Sequence, residues 1–116
     1  MSESVAGWIV YKNVPYHKGL HRFIKKQITK WVKTNGSDPA LLEDARYRVV
    51  FNREGEQKSV ECRLELRMRL QVWVALEAAP NPDTALIRSL QHMKFVDNPL
   101  HLPAWAQRSM GLSRAG

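Results

Sequence analysis

Acidic side chains are missing from the early part of this chain: between Ser4 and Ser37 there is neither Asp nor Glu. Cysteine is nearly missing too. The single Cys62 can close no internal disulfide and build no multi-thiolate zinc site, so nothing asks for an oxidising compartment. No run approaches the ~18 consecutive apolar residues of a membrane span, and Met1 to Gly7 lacks the basic-then-apolar pattern of a secretory leader. The expectation is a soluble, cytoplasmic protein. No glycine-rich phosphate loop and no nucleophile elbow is present, which argues against nucleotide hydrolysis and acyl transfer. With 116 residues there is room for one ordinary domain, and a multidomain enzyme is excluded.

What is present is positive charge, unevenly placed. Lys12, Lys18, Arg22, Lys25, Lys26, Lys30 and Lys33 all fall in the acid-free stretch, and they account for the whole formal net charge of +7. The other eleven basic residues are matched by eleven acidic ones. Scattered lysines would speak mainly of solubility. A block of one sign describes a surface that repels itself until something anionic covers it, and nucleic acid is the first candidate.

The pattern along the chain predicts an α+β fold. Trp8-Ile9-Val10-Tyr11 reads as a strand over Gly7 to Lys12. From His17 to Lys33, Leu20, Phe23, Ile24, Ile28, Trp31 and Val32 recur at three- and four-residue steps, and at 100° per residue they share one helix face. Lys18, Arg22, Lys25, Lys26, Lys30 and Lys33 fall on the opposite face. Residues Arg46 to Arg53 and then Val60 onward alternate with period two, which predicts strands separated by a turn at Glu54 to Gln57. A further turn is placed near Met68 to Gln71, and a fourth strand over Val72 to Ala78 with Val72, Val74 and Leu76 inward. Asn81-Pro82-Asp83 reads as a cap, a first helical proline and a favourable N-terminal charge, opening a second helix to about Val96. The expected order is β-α-β-β-β-α: a four-stranded sheet with both helices on one face, occupying residues 1–97, and a tail over 98–116 marked by Pro99, Pro103 and a Ser/Gly/Arg ending.

The chain resembles the ribosome hibernation-promoting factor and ribosome-associated translation inhibitor family. The resemblance is carried by Lys12-Asn13-Val14, His17-Lys18-Gly19-Leu20, the Phe23-Ile24 pair, and Ala78-Ala79-Pro80-Asn81-Pro82-Asp83 leading into Ala85-Leu86-Ile87, and it covers about Trp8 to Val96. It departs in lacking the family's glycine turn between strands three and four, and in a second helix with only Arg88, His92 and Lys94 as basic groups. The resemblance implies the same strand and helix order, binding to the small ribosomal subunit and its rRNA near the decoding region, and blocked translation. It also implies a short form that acts as one domain and is a monomer off the ribosome.

For RNA contact the residues singled out are Lys18, Arg22, Lys25, Lys26, Lys30 and Lys33 on the first helix, Arg46 and Arg48 on the second strand, and Arg88 on the second helix. A cationic helix face is ordinarily just solvated, but this one has no interleaved carboxylate to pair with at i+4. Arg46, Arg48, Arg63, Arg67 and Arg69 are expected on the open sheet face, where Glu61 and Glu65 can pair with them. Trp73 is expected on that same side, stacked on a base or covered by Leu100, Leu102, Pro103 and Trp105. Trp8, Trp31, Phe23 and Phe51 read as core. His17 and His21 have the i, i+4 spacing of a metal pair but no third ligand, so no metal and no cofactor is expected. Cys62 reads as a small buried apolar residue. No small-molecule substrate, membrane or enzyme activity is indicated. The rival readings are a double-stranded-RNA-type module, a small ribonuclease, and an adaptor for an acidic protein.

Overall fold

The computed structural model describes residues 5–35, 45–55, 58–68 and 71–96. Among them run β1 (Ala6–Lys12), α1 (Lys18–Asn35), β2 (Arg46–Asn52), β3 (Val60–Met68), β4 (Gln71–Ala79), α2 (Pro82–Gln91) and β5 (Lys94–Val96). The strands form one sheet in the order β1-β2-β3-β4-β5, with β1 parallel to β2 and every other neighbour antiparallel. A parallel pair needs a long crossover, and α1 supplies it.

Each helix starts where a side chain can accept from an otherwise unpaired backbone N–H. His17 Nδ1 accepts from Leu20 N at 3.1 Å, so His17 caps α1 rather than belonging to it. Asn81 Oδ1 accepts from Thr84 N at 2.9 Å, with Pro82 following at the first helical position. At the far end of α2, His92 N donates to both Arg88 O and Ser89 O, and the helix stops there.

Register assigns the two faces of the sheet. One row toward the helices is Gly7, Tyr47, Leu66, Trp73 and Phe95; the next is Ile9, Val49, Leu64 and Ala75; a third is Tyr11, Phe51, Cys62 and Glu77. Leu20, Ile24, Ile28 and Val32 of α1 and Ala85 and Leu86 of α2 close over them, and Phe51, Ile24, Ile28, Leu64, Leu66 and Leu86 are fully buried. Gly7 is dictated by this packing, because a Cβ there would lie 2.3 Å from Tyr47 O and 2.6 Å from the Tyr47 ring. Cys62 sits among these residues with its thiol pushed up to about 12, chiefly by burial.

Four expectations need correction. The sheet has five strands among the described residues, not four: α2 ends at Gln91, and Lys94-Phe95-Val96 pairs with β4 instead of extending the helix. An aromatic and β-branched run gains more by adding to the open β4 edge, where Phe95 meets the Trp73 ring at 5.2 Å, than by a last helical turn. Trp73 faces the helices, not the open face, and Val72, Val74 and Leu76 lie on the open face opposite Arg67, Glu65 and Arg63. Met68 pairs with Gln71 across the two strands, and one step away from that register would exchange the faces. Trp8 is not core: it is 61% exposed on the open side of β1, whereas Phe51 is buried and Phe23 and Trp31 are half-buried against the core. Finally, the first helix begins at Lys18 and ends at Asn35 rather than spanning His17 to Lys33. The expected tail and its covering role, and Arg69, lie outside the described residues.

Candidate nucleic-acid interface

The sequence of α1 divides its surface by angle. Leu20, Ile24, Ile28 and Val32 follow one another at four-residue steps and are all buried. On the far side, roughly 140–180° from the centre of that stripe at 100° per residue, stand Arg22, Lys26, Lys30 and Lys33, all exposed, with exposed Lys18 and half-buried Lys25 at the flank. An 18-residue helix is about 27 Å long, so these groups are presented along most of one cylinder, turned away from the sheet. Thr29, between the cations, accepts from Val5 N at 3.0 Å, which ties the start of the first strand to this helix.

None of Lys18, Arg22, Lys25, Lys26 and Lys30 meets a carboxylate within ion-pair distance among the described residues. Lys33 is different, being engaged in an interaction of its own. No acidic residue stands in the first turn of α1. A field of this kind attracts polyanions sequence-independently, by releasing the counterions condensed on each neutralised phosphate.

The remaining singled-out arginines are not gathered with this face. Arg46 and Arg48 lie on the opposite side of the sheet: Arg48 stands between Trp8 and Glu65 in register, and Arg46 faces Arg67. Arg46 Nη1 donates to Ala45 O at 2.8 Å, and the neighbouring Arg63 Nε donates to Glu61 Oε1 at 2.9 Å. Arg48 Nε is buried with no hydrogen-bond partner, and Glu65 is buried beside it. That face is a mixed, partly self-paired lattice. Arg88 is exposed on α2, where Nη1 donates to Ala78 O at 2.9 Å and draws the side chain back onto β4. The structure therefore brings together the six α1 residues and leaves Arg46, Arg48 and Arg88 on other surfaces.

Sequence reading missed the groove where the two helices meet. It has a volume of about 250 Å³ and is lined by Trp31, Ile87 and Leu90 together with Gln27, Lys30 and Gln91. Trp31 packs edge-on against Trp73 at 5.2 Å, and Trp73 in turn against Phe95 at the same distance. Periodicity shows that these side chains are near a core but not that two helices leave a gap between them, so no sequence signal marks the groove.

Of the histidines, His17 is spent on the helix cap and His21 lies edge-on to the Tyr16 ring at 5.9 Å. Among the described residues no three His, Cys, Asp or Glu side chains are grouped to hold a metal ion. No helix among them is long and apolar enough to cross a membrane.

Comparison with known proteins places the fold. The structure is similar to the N-terminal domain of Protein Y from Thermus thermophilus, with a TM-score of 0.59 and 10% sequence identity, over 75% of this chain and 87% of that one. No family model matches the chain, and no curated protein does. The shared property is the fold: an α+β sheet carrying two helices on one face.

Proposed function

We propose that the protein binds the small ribosomal subunit through its rRNA, using the outward face of α1, and holds translation off by occupying space near the decoding region. The observation that carries this reading is the row Lys18, Arg22, Lys26 and Lys30 of α1, exposed and meeting no carboxylate at ion-pair distance among the described residues. Two further findings support it. The sequence resembles the ribosome hibernation-promoting factors, and the order that this resemblance implies is the order from β1 to α2 in the structure. The fold is that of the Protein Y N-terminal domain.

In this reading the mechanism is steric and needs no catalytic group, cofactor or metal. The protein works in the cytoplasm, as a monomer when off the ribosome. Sequence-independent phosphate contacts supply affinity, and the shape of the rRNA around them supplies the choice of site. Arg46, Arg48 and Arg88 are secondary here, since each lies away from the α1 face.

Sedimentation of cell lysate through a sucrose gradient, with and without RNase, tests it. The protein should travel with small subunits and be released by RNase. Changing Lys25, Lys26 and Lys30 together to Glu should abolish co-migration while circular dichroism is unchanged. Unaltered sedimentation of that variant overturns the proposal. Equal binding to naked duplex RNA would favour a double-stranded-RNA module instead, and shortened RNA fragments would favour a nuclease.

A further inference from the structure

The face of α1 that carries the cations runs directly into the groove between the helices. At 100° per residue, Lys26 and Lys30 form the edge of the cationic arc nearest Gln27 and Trp31, and Lys30 itself lines the groove. Across from them α2 contributes Ile87, Leu90 and Gln91 and no cation, while Arg88 points to its other side, held to Ala78 O. The groove thus combines an apolar lining that includes one large aromatic ring with amide groups and a positive charge.

We propose that this groove takes a single unstacked nucleobase of the bound RNA, seated against Trp31, while the adjoining phosphate lies on Lys30. The inference rests on the RNA reading above and deepens it. Three features select this occupant. The one charged residue of the lining, Lys30, is positive and no acidic residue lines the groove, which suits a group attached to a phosphate. The Gln27 and Gln91 amides each carry both donors and acceptors, which matches the edge of any base. The volume of about 250 Å³ lies below the usual range for drug-sized ligands of ~300–1,000 Å³, as a single planar ring system requires. Trp31 is also already packed edge-on against Trp73, which in turn meets Phe95, so stacking on it costs little ordering of the side chain. Such stacking is tolerant of base identity because every base has a π face.

The test uses the full chain and two single-stranded RNA oligomers of equal length and charge, one of uridines and one of abasic ribose units. Wild type should bind the uridine oligomer about tenfold more tightly, the ratio expected for one stacked base. Trp31→Leu should bring the two affinities together. Because that change touches the core edge, a second variant plugs the groove after folding: Thr34→Cys treated with a bulky maleimide. Thr34 lines the groove and is exposed, whereas Cys62 is fully buried with its thiol pushed up to about 12 and stays unmodified. The labelled protein should lose the preference for uridine and keep its affinity for the abasic oligomer; unlabelled Thr34→Cys should keep both. If plugging leaves the preference intact, or lowers both affinities alike, the groove does not hold a base, although the RNA reading survives. If wild type binds neither oligomer nor rRNA, the RNA reading itself falls.

Discussion

Neutralising the line of cations at four-residue steps, Arg22, Lys26 and Lys30, to Gln examines the electrostatics without adding repulsion. These three exposed side chains rise about 12 Å along the axis of α1 and have no carboxylate partner among the described residues. Arg, Lys and Gln have closely similar helix propensities, so stability should stay within ~0.5 kcal/mol of wild type by urea denaturation. Binding should change in a specific way. Each phosphate neutralised on duplex RNA contributes a slope of about −0.9 to log K against log salt, taking the duplex DNA value, so three lost contacts flatten the slope by about 2.7. Between about 50 and 200 mM KCl, a fourfold range, the variant should then lose roughly 40-fold less affinity than wild type does. Fluorescence anisotropy on a labelled rRNA helix, or sedimentation with purified small subunits across that range, measures the slope directly. A folded variant that keeps the wild-type slope would show that these groups touch no phosphate, and the assignment of the α1 face would be refuted.

Other consequences follow from the packing. Gly7→Ala should destabilise the fold by about 1–3 kcal/mol or more in thermal or urea unfolding, since its new methyl group meets Tyr47 O at 2.3 Å; an unchanged midpoint would mean that β1 does not lie on β2 as described. Asn81→Ala removes the acceptor for Thr84 N and should cost about 1 kcal/mol by the same measurement, with RNA affinity unaffected. Burial raises Cys62 from 9.0 and Tyr47 from 10.0, each to about 12, so the unfolded chain gives up these protons first as pH rises. Their contribution to stability is complete below about pH 9 and is lost towards pH 12; Cys62→Ala combined with Tyr47→Phe should flatten that decline in urea midpoints. The native Cys62 thiol should also resist a thiol reagent at pH 8 and react only in denaturant; rapid native reaction would contradict its burial.

Much of the fold was legible residue by residue. The i, i+4 series from Leu20 to Val32 defined α1, the alternation of Tyr47, Val49 and Phe51 defined β2, and Asn81-Pro82 marked the start of α2 to the residue. The face of β4 was not legible. Val72, Val74 and Leu76 are as apolar as a core row, yet Trp73, Ala75 and Ala79 pack toward the helices, because small residues let a helix approach and Trp73 fills the gap below Trp31. The short β5 was hidden for a similar reason: Lys94-Phe95-Val96 has no period of its own and becomes a strand only because β4 offers a free edge.

The candidate site divides the same way. That Lys18 to Lys33 share one helical face follows from sequence, since 100° per residue is local geometry and the exclusion of Asp and Glu from that stretch is written in the chain. Which distant groups face those cations, that Arg46 and Arg48 stand on the far side of the sheet, that Arg88 is drawn onto the β4 carbonyl, and that Trp31 and Lys30 line one groove were decided only by tertiary structure. The physical reason is that periodicity sets the direction of a side chain relative to its own element, while register and the meeting of two elements depend on packing between segments far apart along the chain.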